Sequence, residues 1–319
     1  MIVSLGESVA DLTPVHEDGR LTGFRFHPGG SPYNVALGLA RLGRRAGFAG
    51  RLSTDLFGAE LARRIADEGV DLGLVRRGPE PNALAFLAFD GQEAAYSFRV
   101  DGTADGLLTP DDLDPAAFLD LEALHFGSFV LGREPSGSSI ARLVMAVRGR
   151  VPLSFDPNLR PDLAGDRSAY RRRVVECGRA ADLLKVSERD LETWAGDGGG
   201  SLLEAVAGGP AAVVVTRGER GSRLLRGGDA LDCPALPTTV VDTVGAGDAF
   251  SAGLLAALTD RGALDREGLA ALSDDAWLDV LRFASAAAAL CCEREGADPP
   301  TRETVVGRLA LTSATPERS

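Results

Sequence analysis

A short glycine-rich loop in the C-terminal third of the chain carries the residues best suited to chemistry. The run Asp242–Asp248 reads Asp-Thr-Val-Gly-Ala-Gly-Asp and leads into an alanine- and leucine-rich segment typical of a helix. The first N–H groups of a helix lack intrahelical partners and carry about half a positive charge, so they attract anions. Asp248 would stand beside a phosphoryl group bound there. An anion site next to a base is what phosphoryl transfer to a hydroxyl group requires.

A second glycine pair, Gly29-Gly30, lies far upstream and precedes another predicted helix. Pro32 favours a helix start in this position, and the helix is expected to run to about Gly43. Asn34 would lie one turn inside, on the exposed side, where its amide can both donate to and accept from a polyol. A single short glycine motif is more often a packing feature than a ligand site. Two such loops, one bracketed by aspartates, favour a ligand site.

The hydrophobic pattern places these loops between short β runs and amphipathic helices. Strands are predicted at residues 2–5, 46–49, 121–126, 151–155, 182–186 and 211–216, and helices at 31–43, 55–69 and 139–147. This alternation predicts a mostly parallel sheet covered by helices on both faces. Residues 12–27 and 83–100 break the pattern as β-rich segments, the second around a predicted hairpin turn at Asp90-Gly91-Gln92. They are candidates for a lid or, equally, an edge extension of the sheet.

The composition excludes several classes of protein. With 34 basic and 46 acidic residues and a net charge of −12, the chain is unsuited to broad attachment to nucleic acid or to an anionic membrane. Lys185, the only lysine, follows leucine, so the sequence has no Walker A loop. It also lacks a Gly-x-Ser-x-Gly elbow and the glycine fingerprint of a dinucleotide-binding dehydrogenase. The four cysteines have no metal or disulfide spacing, which favours a reducing cytoplasm.

Two segments resemble, in the correct order, the two signatures of the ribokinase-like (phosphofructokinase-B type) carbohydrate kinase family. The first is residues 28–43 and the second, with its highly specific Gly-Ala-Gly-Asp, is residues 242–255. Within the family, residues 156–160 (Asp-Pro-Asn-Leu-Arg) and 185–188 (Lys-Val-Ser-Glu) look most like fructokinases. The 2-keto-3-deoxygluconate kinases are close neighbours.

The resemblance implies a three-layer α/β fold, with a central mostly parallel β-sheet flanked by helices and a small β-sheet lid. One domain is expected over residues 1–310, with the lid formed by about 12–27 and 83–100. Residues 311–319 are expected to form a flexible tail. The lid would close over the sugar and also join two copies of the chain as a homodimer.

The resemblance also implies roles for the candidate residues. Asp248 would deprotonate the attacking sugar hydroxyl, while the N–H groups of Gly245, Ala246 and Gly247 stabilise the transferred phosphoryl group. The residues expected to hold the sugar are Asp11, Gly29, Gly30 and Asn34. The residues expected at the nucleotide are Ser187, Thr216, Gly218, Gly221 and Ser285. Asp242 would contribute to a monovalent-cation (K⁺) site. The family orders Mg²⁺ through water with an Asn-x-x-Glu motif, in which this chain has Ser187 in place of the asparagine and Asp190 in place of the glutamate.

Three basic residues are candidates from their positions. Arg160 follows a strand and is expected either to contact the γ-phosphate or a sugar acid, or to bridge Asp156 or Asp162. Lys185 ends a strand and is expected near the nucleotide phosphates. Many fructokinases carry Tyr-Arg in a lid strand where this chain has Phe-Arg-Val, so Arg99 is expected on the opposite face of that strand.

The sequence therefore predicts an ATP-dependent, Mg²⁺-requiring sugar kinase whose partners are a small sugar and ATP, with fructose as the first candidate acceptor. Within the family, 2-keto-3-deoxygluconate, ribose and nucleosides are alternative acceptors, and Arg99 or Arg160 could pair with a carboxylated one. The alternative of another class is a non-catalytic sensor of sugar or nucleotide. The intact Gly245–Asp248 loop argues against a sensor, which has no need for a base.

Overall fold

The computed structural model describes residues 1–90 and 93–313, and this part of the chain contains thirteen β-strands and ten α-helices joined by loops and short 3-10 turns. The strands are β1 (Ile2–Leu5), β2 (Val9–Glu17), β3 (Arg20–Gly29), β4 (Ala46–Ser53), β5 (Asp71–Gly78), β6 (Ala83–Asp90), β7 (Glu93–Arg99), β8 (Ala123–Gly127), β9 (Leu153–Asp156), β10 (Leu183–Ser187), β11 (Ala212–Thr216), β12 (Ser222–Arg226) and β13 (Asp229–Cys233). The helices are α1 (Ser31–Arg41), α2 (Leu56–Asp67), α3 (Ser136–Val147), α4 (Arg167–Ala180), α5 (Glu188–Trp194), α6 (Leu202–Ala205), α7 (Ala246–Thr259), α8 (Arg266–Ala271), α9 (Asp274–Cys292) and α10 (Arg302–Ser313).

A nine-stranded sheet forms the middle layer, in the order β13-β12-β11-β10-β9-β8-β1-β4-β5. From β11 to β5 neighbouring strands are parallel, and β12 and β13 continue the β11 edge as antiparallel strands. Every residue of β1 and β9 is buried, as expected for strands covered on both faces. The predicted mostly parallel sheet is therefore confirmed, and it brings the loops that follow the parallel strands to one edge.

Two hydrophobic cores, one on each face of this sheet, complete the three layers. One core combines apolar residues of α1, α2, α7 and α9, and the other is built from α3, α4 and the opposite side chains of the central strands. The Asp55 carboxylate caps α2 by accepting from the backbone N–H of Gly58 at 2.8 Å, as its position before the helix predicts. The two cores fix the helix N-termini relative to the strand ends, where the candidate residues lie.

A separate four-stranded sheet, in the order β3-β2-β6-β7, corresponds to the predicted lid. In it β2 pairs antiparallel with β3 and parallel with β6, and β6 pairs antiparallel with β7. The predicted turn at Asp90-Gly91-Gln92 includes residues 91 and 92, which lie outside the described residues. Strands β2 and β3 extend beyond the first predicted segment, to Val9 and Gly29, because hydrogen bonding to neighbours, which hydrophobicity does not reveal, sets their ends; β6 and β7 lie within the second segment.

Other boundaries also differ from the prediction, and two of the differences concern whole segments. Strand β4 continues past residue 49 to Ser53, because its polar half pairs with β5 at the edge of the large sheet. Helix α10 ends at Ser313, so residues 311–313, expected in the tail, are helical; residues 314–319 lie outside the described part. Among the described helices, none has the length and apolar character needed to cross a membrane.

Candidate active site

The N-terminus of α7 is shaped to receive an anion. Gly245 is its N-cap residue and adopts a left-handed conformation with φ of 76°. A β-carbon at Gly245 would lie 2.6 Å from the Ala297 β-carbon, so glycine is required here for both backbone and packing reasons. Within the described ranges, no side chain caps this helix end. Its first-turn N–H groups, which include those of Gly247 and Asp248, are therefore suited to an anionic ligand.

Asp248, in that first turn, joins α7 to α1. Its Oδ1 accepts a hydrogen bond from the Ser31 hydroxyl at 2.6 Å, and its Oδ2 accepts one from Asn34 Nδ2 at 2.8 Å. Burial raises the pKa of Asp248 to about 6, although both hydrogen bonds act in the opposite direction. The prediction that Asn34 lies on an exposed side is wrong: it is only 5% exposed because α7 covers the first turn of α1. The two helices thus hold a carboxylate that is partly buried and, near neutral pH, largely ionised.

The Gly29-Gly30 turn brings a second carboxylate towards the first. A β-carbon at Gly29 would lie 2.3 Å from Asp11 Oδ2, so this glycine makes room for the Asp11 side chain. Gly30 has φ of 96°, and a β-carbon there would lie 2.7 Å from the Glu7 carbonyl oxygen. Burial, followed by the negative charge of Asp248, raises the pKa of Asp11 to about 7. Asp11, on a strand of the lid, and Asp248, on the body, therefore interact electrostatically.

Below the α7 N-terminus lies a buried ion pair. Lys185 Nζ is 2.9 Å from Asp156 Oδ2, and the two residues are 5% and 1% exposed. The Ser251 hydroxyl of α7 donates to the same Asp156 oxygen at 3.2 Å. Burial alone would lower the pKa of Lys185, but the charge of Asp156 reverses this and raises it, so the ammonium stays charged. Its Nζ would lie 3.2 Å from a β-carbon on Gly247, directly beneath the candidate anion site.

The predicted nucleotide residues gather beyond this pair at the same edge of the sheet. Ser187 and Thr216 are register partners at the ends of β10 and β11. Gly218 and Gly221, in the loop after β11, have φ of 57° and 80°. A β-carbon at Gly221 would lie 2.1 Å from the Cys233 carbonyl oxygen, so the loop packs tightly on the end of β13. Ser285, on α9, is buried.

The Asp190 side chain is occupied by neighbouring backbone and hydroxyl groups. Asp190 Oδ2 accepts from the Ser187 backbone N–H at 2.8 Å and from its hydroxyl at 2.6 Å, while Oδ1 accepts from the Leu159 N–H at 2.8 Å. The Ser187 hydroxyl accepts in turn from the Asp190 N–H, which forms a capping box at the start of α5. These bonds fix the loop that leads to Arg160. The Arg160 guanidinium donates to the Leu159 carbonyl oxygen at 2.8 Å.

Neither of the two ion pairs considered for Arg160 forms. Asp156 pairs with Lys185 instead, and Asp162 pairs with Arg167. The Arg160 side chain is therefore left at the strand end with only a backbone contact among the bonds described.

Asp242, before the α7 loop, is oriented by two backbone groups. Its Oδ1 accepts from the Val244 N–H at 3.0 Å, and its Oδ2 accepts from the Gly296 N–H at 2.8 Å. Asp242 therefore ties the start of the glycine loop to the segment after α9. Across residues 1–90 and 93–313, no cluster of three or more His, Cys, Asp or Glu side chains is arranged to hold a metal ion.

Arg99 lies on the opposite face of the lid from Asp11, as strand alternation predicts. Asp11 is the register partner of Ala85, and Ala85 that of Phe98, so these three side chains share one face. The Arg99 guanidinium instead lies 6.0 Å from the centre of the Phe86 ring.

Sequence reasoning missed several residues that build the site. Ser31 was interpreted as a helix start within the first signature, and Asp156 as part of the 156–160 run and a possible partner of Arg160; neither was expected to contact Asp248 or Lys185. Ser251 was not singled out. Glu7, which follows β1, is 1% exposed, and burial raises its pKa to about 8. The available signal was a polar residue at the end of an apolar strand, which marks the functional edge of a parallel sheet.

A helix N-terminus suited to an anion, beside a carboxylate, fits one class of protein: an enzyme that transfers a phosphoryl group to a hydroxyl. The chain belongs to the pfkB family of carbohydrate kinases, whose family model matches residues 1–304. It is 37% identical to a fructokinase of Klebsiella pneumoniae over 301 residues, which cover 92% of this chain and 93% of that protein.

Solved structures agree with this assignment. Fructokinase from Xylella fastidiosa with bound ATP superposes with a TM-score of 0.89 at 26% identity, covering 98% of both chains. A double mutant of fructokinase from Vibrio cholerae O395, in its fructose-, ADP- and potassium-bound form, gives a TM-score of 0.83 at 28% identity, covering 97% of both chains. The predicted family and its ribokinase-like fold are thus confirmed.

Proposed function

We propose that this protein is an ATP-dependent fructokinase, which transfers the γ-phosphate of ATP to a hydroxyl group of fructose. The observation that carries the proposal is the Asp248 carboxylate, held by Ser31 and Asn34 in the first turn of a helix with a glycine N-cap. This geometry places a proton acceptor and an anion site within one helical turn. The relatives and structural neighbours that are fructokinases support fructose as the acceptor.

The body and the lid would hold the sugar between them. Asp11, over Gly29 and Gly30, and Asn34, at the start of α1, offer carboxylate and amide groups to sugar hydroxyls. We assign Arg160 to the far side of the same cleft, where its guanidinium could contact the sugar or the γ-phosphate. Asp248 accepts the proton of the attacking hydroxyl, because its ionised form predominates at neutral pH and the hydrogen bonds from Ser31 and Asn34 hold its carboxylate in place.

The N-terminal turn of α7 would stabilise the charge on the transferred group through the N–H groups of Gly245 and Gly247. The Ala246 N–H, also expected to contribute, instead donates to the Thr243 carbonyl oxygen at 3.3 Å. Lys185 lies immediately below and adds a fixed positive charge, which Asp156 holds in position. Preorganised charges of this kind need no rearrangement during the reaction. In our proposal the nucleotide extends from this point along the sheet edge, over Ser187, Thr216 and the Gly218–Gly221 loop towards Ser285.

The chain's oxygen donors fit the ions that nucleotide phosphoryl transfer uses. When bound, Mg²⁺ would supply positive charge that offsets the negative charge of the nucleotide phosphates. Because Asp190 already accepts three internal hydrogen bonds, we assign it a role in fixing the Ser187 and Leu159 backbone near the metal, through water rather than by direct contact. Asp242 would contribute an oxygen to a K⁺ site, and its bonds to Val244 and Gly296 keep that oxygen in place.

A coupled assay of ADP release tests the assignment. The purified protein is incubated with ATP and Mg²⁺ plus fructose, other hexoses, pentoses, 2-keto-3-deoxy acids or nucleosides. The proposal expects the highest kcat/KM for fructose. A preference for a keto-deoxy acid would assign Arg160 to a substrate carboxylate and replace the fructokinase proposal. ATP binding without turnover on any acceptor would favour a sensor.

We further propose that two copies associate through the lid. The face opposite Asp11 carries apolar side chains, among them Phe24, which is 46% exposed and lies 5.3 Å from the Phe86 ring in an edge-on contact. Covering this face would remove an exposed apolar patch from water. Light scattering of Phe24→Ser against the unchanged protein tests this, since the variant should be monomeric.

We place the enzyme in the cytoplasm because its four cysteines are free thiols.

A further inference from the structure

A second contact between lid and body involves β3, on the same face of the lid as Asp11. Arg25, on β3, donates from Nη1 to Glu295 Oε1 at 3.1 Å and to Oε2 at 3.3 Å. His27, two residues along the same strand, places Nε2 3.8 Å from Glu295 Oε1. We call these three residues, Arg25, His27 and Glu295, the β3 latch. It joins a lid strand to the segment that follows α9.

That segment leads directly to the candidate anion site. The Gly296 N–H, next to Glu295, donates to Asp242 at 2.8 Å. Ala297 packs behind Gly245, so closely that a β-carbon on Gly245 would lie 2.8 Å from the Ala297 α-carbon. A displacement of residues 295–297 would therefore be transmitted to the residue that caps α7 and orients its N–H groups.

The other end of the latch lies next to the proposed sugar site. His27 is the register partner of Asp11 across β2 and β3, so the two side chains share one face of the lid. The His27 ring also lies over Gly296: a β-carbon there would be 3.1 Å from Nδ1, and Gly296 has φ of 72°. One lid residue thus neighbours both Asp11 and the loop behind the α7 cap.

We propose that Glu295 is a positioning residue that holds lid strand β3 against the loop supporting the anion site. The position of the lid over the sugar is thereby coupled to the orientation of the α7 N–H groups at the phosphoryl group. This inference rests on the proposed kinase function. Glu295 itself touches neither substrate. Its effect is carried by Arg25 and His27 towards Asp11, and by Gly296 and Ala297 towards Gly245.

The test compares Glu295→Gln with a matched control. The control is Asp67→Asn, which removes the exposed Arg63–Asp67 ion pair on α2. The two pairs are equally exposed to solvent: the side chains of Arg63 and Asp67 are 59% and 61% exposed, and those of Arg25 and Glu295 are 61% and 58% exposed. We expect Glu295→Gln to raise the KM for sugar about two- to fivefold, the effect of losing one exposed ion pair. It should also lower kcat, raise the ratio of sugar-independent ATP hydrolysis to sugar phosphorylation, and leave the KM for ATP unchanged. Asp67→Asn should change none of these quantities.

A double-mutant cycle of Arg25→Gln and Glu295→Gln adds a pairwise test, in which the effects on sugar KM should be less than additive. Hydrogen exchange provides a readout that does not depend on the reaction: in the free protein, the β3 amides should exchange faster in Glu295→Gln than in the control. Unchanged β3 exchange, or equal shifts in KM for sugar and for ATP, would overturn the latch. Faster β3 exchange in a protein that phosphorylates no sugar would instead contradict the kinase proposal while leaving the latch contact intact.

Discussion

Replacing Asp248 with asparagine separates its chemical role from its structural one. The substitution keeps the shape of the side chain but removes the proton acceptor. A positioned general base contributes about 10²- to 10⁴-fold to a rate. We therefore expect Asp248→Asn to lower kcat for sugar phosphorylation by about three orders of magnitude, with a smaller change in the KM for ATP.

The same substitution should not unfold the protein. The rise in the pKa of Asp248 from 3.8 to about 6 corresponds to roughly 3 kcal/mol by which the folded protein disfavours the charge. The asparagine amide avoids this cost but can accept from only one of its two donors, Ser31 or Asn34, which costs about 1–2 kcal/mol. The free energy of unfolding at pH 7 should therefore be about 1–2 kcal/mol higher than that of the unchanged protein.

The pH dependence supplies an independent check with a defined sign. Because the folded pKa lies above the unfolded value, the advantage of Asp248→Asn in stability should be absent below about pH 4 and complete above about pH 6. In the unchanged protein, kcat/KM should fall as pH drops through about 6, because the base becomes protonated. The residual activity of the variant should not follow that profile.

Coupled ADP-release kinetics and urea unfolding, each across this pH range, measure both quantities. Asp242→Asn, which alters a neighbouring carboxylate outside the first turn of α7, is a useful comparison. It should change the activation by K⁺ but not the fall in kcat/KM below about pH 6. Near-normal turnover by a folded Asp248→Asn protein would refute the assignment of Asp248 as the base.

Three further substitutions test other parts of the site. Lys185→Met leaves Asp156 charged and buried without its partner, so urea unfolding should show a loss of about 3–5 kcal/mol. In Gly29→Ala, the new β-carbon would meet the Asp11 carboxylate at 2.3 Å, so calorimetry should show weaker sugar binding with ATP binding unchanged. In the unchanged protein the pKa of Glu7 is raised from 4.5 to about 8, so ionisation of Glu7 lowers the stability as pH rises through that range. Glu7→Gln removes this effect and should therefore raise the Tm by more at about pH 8.5 than at about pH 5. Equal gains at both pH values would contradict the buried charge.

The local features of the site were predictable because they are encoded within a few residues. The Gly245–Asp248 loop before an apolar helix, and Gly29-Gly30 before a helix with proline in its first turn, are signals of backbone conformation. Both helices begin as predicted, at Ala246 and Ser31. Strand–helix alternation likewise predicts the parallel sheet, since such strands need crossover connections.

The contacts between these local features could not be predicted in the same way. Asn34 was expected on an exposed face because the periodicity of α1 contains no information about α7, which covers its first turn. Lys185 was expected near the nucleotide, but the sequence does not indicate that Asp156 and Ser251 fix it in a buried network. Each of these outcomes depends on which element packs against which.

The sequence by itself therefore determined the family, the layered fold and the short motifs, because glycine conformation, helix starts and hydrophobic period are local properties of the chain. Only the tertiary structure decided how the motifs combine: it brings Ser31 to the Asp248 carboxylate across 217 positions of sequence. Burial of that carboxylate and its nearness to other charges then set the pKa on which the proposed chemistry depends. Both are properties of packing, which no stretch of sequence specifies alone.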